Sequence, residues 1–157
     1  MEPLDKSLLE LTGYRMRRST SSALSKMNGV FAEFGLRRTT FSTLALVVDT
    51  PGLRQSQLAE ALSIERPNFV KIVGELEKEG LVERKAKVGD KRAYALHATC
   101  AGKALFAEAM VAVRAFDRQL TSDLTPEQIA ALHAALKAID EKAKTLEAPN
   151  ERQISRA

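Results

Sequence analysis

The chain has one cysteine, Cys100, no tryptophan, and only 5% aromatic residues in 157 positions. A lone cysteine excludes an internal disulfide and fits a reducing compartment. No apolar run reaches the roughly eighteen residues that a membrane span needs. The opening MEPLDKSLLEL lacks a basic stretch followed by an apolar one, so no secretory signal is read and a cytoplasmic location is expected. Two histidines, His97 and His133, stand without a nearby cysteine or carboxylate cluster, so no metal is expected. HExxH, GxSxG, phosphate-loop and dinucleotide fingerprints are all missing, which argues against an enzyme and against a cofactor.

What is present is a 45% hydrophobic content, enough to bury the core of about one domain, and a net charge of +4. The charge is unevenly placed. Arg84, Lys85, Lys87, Lys91 and Arg92 face only Asp90 in their stretch, whereas acids outnumber bases from Gln55 to Glu83. Positive charge concentrated on one loop is what local phosphate contact requires, although a solvated hairpin has the same look.

Helical spacing organises the rest. Leu8, Leu11, Met16, Leu24, Met27, Phe31 and Phe34 predict a first helix over about Leu4 to Phe34, weakened by Gly13, Gly29 and the Ser19–Ser22 patch and ended by Gly35. A second helix is predicted from Thr39 to Asp49, before the Thr50-Pro51-Gly52 turn. A third spans Gln55 to Leu62, Ser63 and Ile64 make a turn, and a fourth runs to Lys78 with Pro67 in its first turn. Phe69, Ile72, Val73 and Leu76 form its apolar stripe. Strands are predicted over Leu81–Ala86 and Ala93–Leu96 around the Val88-Gly89-Asp90 turn. Thr99 is the expected N-cap of a fifth helix to Leu120. Thr125, Pro126 and Gln128 spell a capping box for a sixth, lasting to about Leu146.

Helix, turn, helix and a basic β-ribbon in that order predict a mainly α fold with a small β-wing, a winged helix-turn-helix. We assign residues 35–99 to this head, residues 1–34 and 100–146 to helical dimerisation regions, and 147–157 to a frayed tail. The long amphipathic first, fifth and sixth helices exceed what the head can cover, so a homodimer on a pseudo-palindromic site is expected.

From Gly35 to Leu105 the chain resembles the MarR family of bacterial transcription regulators. The stretches responsible are PGLRQSQLAEAL, IERPNFVKIVGELEKEGLVER and GDKRAYALHATCAGKAL, the last joining an Asp-basic-Arg wing tip to a Thr-x-x-Gly helix start. Arg37 and Arg54 depart from the family by standing where a capping Ser or Thr is usual, at about 1 kcal/mol each. Pro67 replaces a small polar residue at the start of the reading helix.

The resemblance implies double-stranded DNA as partner and a ligand-responsive regulator, a repressor by expectation. Asn68 would pair with adenine, Arg66 or Lys71 would reach guanine or phosphate, and Val70 would touch a thymine methyl. For Arg66 and Lys71 plain solvation stays open. Arg92 resembles the family's minor-groove arginine, with Asp90 either bracing it or serving ordinary turn chemistry. Lys85, Lys87 and Lys91 would meet phosphates, as would the N–H groups of Gln55, Ser56 and Gln57.

The resemblance also implies an effector, a small aromatic acid or its acyl-CoA thioester, at the junction of the dimer helices and the head. Tyr14, Met27, Phe31, Phe41, Leu44, Phe106 and Met110 would line it, with Arg15, Arg17 and Arg18 meeting a carboxylate or phosphates. Core packing and a solvated face are the competing readings of these residues. Two other functions stay open: redox sensing through Cys100, and a winged helix used as a protein-interaction module.

Overall fold

The computed structural model describes residues 4–87 and 90–146, with the side chains of residues 87 and 90–93 outside the description. Six α-helices and one two-stranded antiparallel sheet make up the described chain: α1 Thr12–Glu33, α2 Arg38–Asp49, α3 Gln55–Ala61, α4 Arg66–Lys78, β1 Val82–Lys87, β2 Asp90–Ala98, α5 Cys100–Leu120 and α6 Pro126–Thr145. This is the winged helix-turn-helix that the sequence pattern predicts. Two compact units divide the chain after Asp117, and α1 and most of α5 share the first unit with the head.

Each tight corner of the head follows from a local signal. Helices α1, α3 and α4 all end in the same paired hydrogen-bond closure, in which two N–H groups beyond the helix return to its last carbonyls. Leu36 N–H donates to Phe31 O and Gly35 N–H to Ala32 O. Leu81 and Gly80 repeat this on Leu76 and Glu77, and Ile64 and Ser63 on Ala59 and Glu60. The residue at the bend needs a positive φ, and Gly35 (65°) and Gly80 (67°) supply it without strain, whereas Ser63 (51°) does so as a non-glycine residue.

The helix starts are capped from the other side. Arg37 and Arg54 have no side-chain acceptor, yet their backbone N–H groups donate to Thr40 Oγ1 at 2.8 Å and Gln57 Oε1 at 2.9 Å. Half of a capping box is therefore intact at both helices, which offsets part of the expected capping loss. At α6 the whole box forms: Gln128 N–H donates to Thr125 Oγ1, and Thr125 N–H to Gln128 Oε1.

Two elements differ from expectation. The first helix is interrupted: a short 3-10 turn, Leu8–Glu10, precedes a break at Leu11 (φ −86°, ψ 120°) before α1 begins. The break lets Asp5 fold back and accept from Tyr14 and Arg18 on the first turns of α1. The second strand reaches past Leu96 to Ala98, because His97 and Ala98 pair with Glu83 and Val82. A further bridge, Arg54 to Ala95, lays the residues before α3 along β2.

Two apolar clusters hold the first unit together. Leu44, Val47, Leu58, Phe69, Val73, Leu76 and Leu96 fill the head, all at 2% exposure or less. Phe31, Leu36, Phe41 and Ala109 join α1, α2 and α5, with Phe41 ringed by Phe31 at 4.9 Å and Phe106 at 5.7 Å. Leu81 and Phe106 pack against both clusters. A seam with no room for a side chain at Gly102 lies between α5 and the α4–β1 corner. There Thr99 Oγ1 donates to Gly80 O and accepts from Gly102 N–H, while Thr99 N–H donates to Leu81 O.

On α6, Leu132, Leu136 and Ile139 remain 37–44% exposed along one helical stripe. Val111 and Leu120 on α5 are likewise uncovered in the single chain.

Candidate nucleic-acid interface and ligand cleft

Helix α4 is split lengthwise by burial. Phe69, Ile72, Val73 and Leu76 are sunk in the head, so Phe69 is core and does not stack on bases. Arg66, Asn68, Val70 and Lys71 are exposed, Val70 at 52%. A single half-exposed aliphatic residue is ordinary on a protein surface, so Val70 matters here only through the polar side chains beside it. Gln55, Ser56, Arg66 and Val70 converge on one shallow notch of about 170 Å³ between α3 and α4, floored by Ala59 and Phe69. Asn68 and Lys71 lie outside that notch on the same helix. Gln57 is the exception on α3: its N–H closes onto Arg54 O at 3.0 Å, so the first-turn donors left for a phosphate are those of Gln55 and Ser56.

The wing strands carry their charges in pairs. Lys85 Nζ meets Glu83 at 2.9 Å, and Arg84 meets Glu77 of α4 at 3.0 Å, tying the wing root to the reading helix. Lys85 is thus not the unopposed cation of the sequence reading. Exposed pairs of this kind are worth about 0–1 kcal/mol, little enough for a phosphate to displace. The side chains of Lys87, Asp90, Lys91 and Arg92, proposed for the wing tip, lie outside the described residues.

The expected effector residues do not converge. Tyr14 and Phe31 share α1 but stand seventeen positions apart, about 26 Å at the helical rise. Arg17 stacks over the Tyr14 ring at 5.0 Å, Arg18 pairs with Asp5, and Arg15 donates to Leu9 O, so this end of α1 is a self-contained polar clasp. The hydrogen bond to Asp5 pushes the Tyr14 phenol upward, and the same bond, with Arg18 nearby, holds Asp5 below the usual carboxylate range. Phe31, Phe41 and Leu44 are buried at 5%, 7% and 0%, and Leu44 belongs to the head's core rather than to a junction. Met27, Phe106 and Met110 are half-buried around that packing.

An open cleft lies elsewhere, between α1 and the start of α2. It measures about 690 Å³, and Leu24, Asn28, Ala32, Leu36, Arg37 and Arg38 are among its lining. That volume falls in the range of small-molecule sites, and the lining combines an apolar wall with amide and guanidinium groups. Sequence reasoning passed over it because Arg37 reads there only as a residue at a helix start and Arg38 carries no signal of its own. A second, smaller cleft of about 310 Å³ lies between α2 and α4 and shares Leu36 and Arg37 with the first.

A reading helix with one exposed polar-aliphatic face, a helix preceding it across a tight turn, and a β-ribbon after it define a winged helix-turn-helix nucleic-acid-binding protein. Residues 34–93 match the model of the MarR family. Over 147 residues the chain is 29% identical to a putative transcriptional regulatory protein for the hcr operon of Thauera aromatica, covering 88% of this chain and 89% of that protein. An HTH-type transcriptional repressor of Mycobacterium tuberculosis is 31% identical over 121 residues, 77% of this chain and 82% of the relative. The chain belongs to the MarR family of transcriptional regulators.

Among solved structures, the transcriptional repressor CouR bound to a 23-mer DNA duplex superposes with a TM-score of 0.83 at 32% identity, over 89% of this chain and 99% of that one. CouR bound to p-coumaroyl-CoA gives 0.77 at 30% identity, over 89% and 98%. No helix of the described residues is long and apolar enough to cross a membrane.

Proposed function

We propose that this regulator is a repressor that grips a pseudo-palindromic operator as a homodimer and releases it when an aromatic acyl-CoA thioester binds. The observation that carries the reading is the exposed face of α4, where Arg66, Asn68, Val70 and Lys71 stand clear of a fully packed core. Such a face has the donors and the aliphatic contact that a major groove requires. The uncovered stripes of α5 and α6 support a second copy as their cover, since apolar area of this kind is stabilised by removal from water. In this reading Gln55 and Ser56 hold phosphate, Lys85, Lys87 and Lys91 add phosphate contacts, and Arg92, braced by Asp90, enters the minor groove.

The thioester belongs in the α1–α2 cleft. Its acyl end fits the wall of Leu24, Ala32 and Leu36, and its phosphates fit Arg37 and Arg38. Relatives of known ligand support this class of effector: CouR is described in complex with p-coumaroyl-CoA. A free aromatic acid would leave the two guanidinium groups without their phosphate partners. The polar clasp at Tyr14, Arg15, Arg17 and Arg18 has no part in the single-chain cleft.

The test begins by selecting bound sequences from random duplex DNA and measuring affinity for the selected site across a salt series. Steep salt dependence and a two-fold symmetric consensus are expected. p-Coumaroyl-CoA, p-coumarate and coenzyme A are then compared as releasing agents, and only the thioester should release DNA at micromolar concentration. Absence of duplex binding in dilute buffer refutes the regulator reading. Release by p-coumarate alone refutes the phosphate-binding assignment of Arg37 and Arg38.

A further inference from the structure

Arg37 occupies an unusual place. It is the residue at the start of α2, it lines the α1–α2 cleft, and it also lines the smaller α2–α4 cleft on the other side. In the latter its Nη2 donates to Glu75 Oε2, a carboxylate on the reading helix thirty-eight positions away. Its neighbour Arg38 lines the α1–α2 cleft but not the α2–α4 one. One guanidinium therefore stands between the proposed ligand cleft and the helix that reads DNA.

We propose that Arg37 serves either Glu75 of α4 or an anion in the α1–α2 cleft, but not both, so that filling the cleft unties the reading helix from α2. The inference rests on the functional reading above, which places a thioester in that cleft, and it supplies the route by which the ligand is felt at α4. A ligand changes an equilibrium only by binding one arrangement better than another. Competition for one cation provides that difference: Arg37 gives Nη2 to Glu75, and a forked grip on a phosphate in the cleft turns that nitrogen away from the carboxylate.

The strengths are suited to exchange. Both partners are largely in water, with side chains 65% and 49% exposed. A pair exposed to that degree shifts an equilibrium by only about two- to fivefold. A phosphate carries more charge than a carboxylate and takes a guanidinium in the same forked geometry. A phosphate in the cleft can therefore outcompete Glu75 without breaking any buried contact. The core beneath, Leu44 against Phe69 and Leu76, stays packed, so α4 is loosened rather than unfolded.

The experiment measures p-coumaroyl-CoA affinity by calorimetry on the full chain, with and without the selected operator. The variants are Glu75→Gln, Arg37→Gln, Arg38→Gln, and the doubles pairing Glu75→Gln with each arginine change. Thermal melts confirm that every variant is folded. Removing the competing carboxylate should tighten thioester binding about two- to fivefold. That gain should vanish in the Arg37→Gln background and persist in the Arg38→Gln background. The factor by which operator weakens thioester binding should shrink in Glu75→Gln, because the linkage is reciprocal.

Wild-type thioester affinity in Glu75→Gln, or a gain that survives loss of Arg37, overturns the switch while leaving the functional reading intact. Failure of the wild-type chain to bind the thioester at all refutes the functional reading and takes the switch with it.

Discussion

Placing a single methyl group at position 102 should detach α5 from the head. A Cβ built on Gly102 meets the carbonyl oxygen of Leu81 at 2.0 Å and its carbon at 2.9 Å, both backbone atoms with no rotamer to escape into. Relief requires α5 or the α4–β1 corner to retreat by about 1 Å, and overpacking of that kind costs about 1–3 kcal/mol. The retreat also stretches the Thr99 cap, whose hydroxyl links Gly80 O to Gly102 N–H, and a lost cap adds about 1 kcal/mol. Gly102→Ala should therefore lose about 2–4 kcal/mol, or about 5–15 °C in melting temperature for a chain of this length.

The same substitution at Gly74, in the middle of α4 with nothing within 4 Å, should move the other way. There it should gain about 0.5–1 kcal/mol, because alanine loses less backbone freedom in a helix. Urea unfolding of both variants at one protein concentration gives the comparison. A Gly102→Ala protein within 0.5 kcal/mol of wild type, a threshold well under the about 2 kcal/mol lower bound, would refute the seam as a rigid joint.

Most helix boundaries were legible because their signals are local. Gly35 and Gly80 bend back where a positive φ is needed, Thr125 and Gln128 close their box, and the stripe of Phe69, Ile72, Val73 and Leu76 has one helical period. The exposed face of α4 follows from that stripe by subtraction, which is why the exposure of Arg66, Asn68, Val70 and Lys71 was legible. The α1–α2 cleft, proposed above for the ligand, was not legible for the same reason. Periodicity marks residues that avoid water but cannot separate those that fill a core from those that line a gap. Phe41 and Leu44 filled a core, whereas the cleft is bounded by Asn28, Arg37 and Arg38, none of which any apolar pattern selects. Tyr14 and Phe31, by contrast, stand seventeen positions apart on one helix, and that spacing of about 26 Å already sets them beyond the reach of one small ligand. The Arg37–Glu75 pair spans two helices and has no sequence signature at all.

Further tests follow from single residues. Ser63 holds a positive φ of 51° at the helix-turn-helix corner, so Ser63→Gly should raise the urea midpoint, with a net gain of about 0.5 kcal/mol after the entropic cost of glycine. No gain would mean that the serine is not strained there. Arg92→Ala should weaken operator binding and lower the salt slope by about one unit; unchanged affinity removes the wing from the interface. The clasp at the start of α1 makes a prediction in pH. Tyr14 O–H donates to Asp5 at 2.7 Å, raising the phenol and lowering the carboxyl. A raised acid keeps its contribution below its ordinary ionisation and loses it as pH climbs through the raised value. A lowered carboxyl keeps its contribution above about pH 4 and loses it as pH falls through the depressed value. Docking of Leu4–Glu10 on α1 should thus hold through neutral pH and fail at both extremes. In a Tyr94→Phe background, where Tyr14 is the remaining tyrosine, phenolate absorbance should rise later than for a free phenol. Asp5→Asn should bring that rise back toward the pH at which a free phenol ionises. A Tyr14 that titrates normally in the wild-type segment, or is indifferent to Asp5→Asn, would mean that the clasp does not form in solution and that the arginines at its edge are free for another anion.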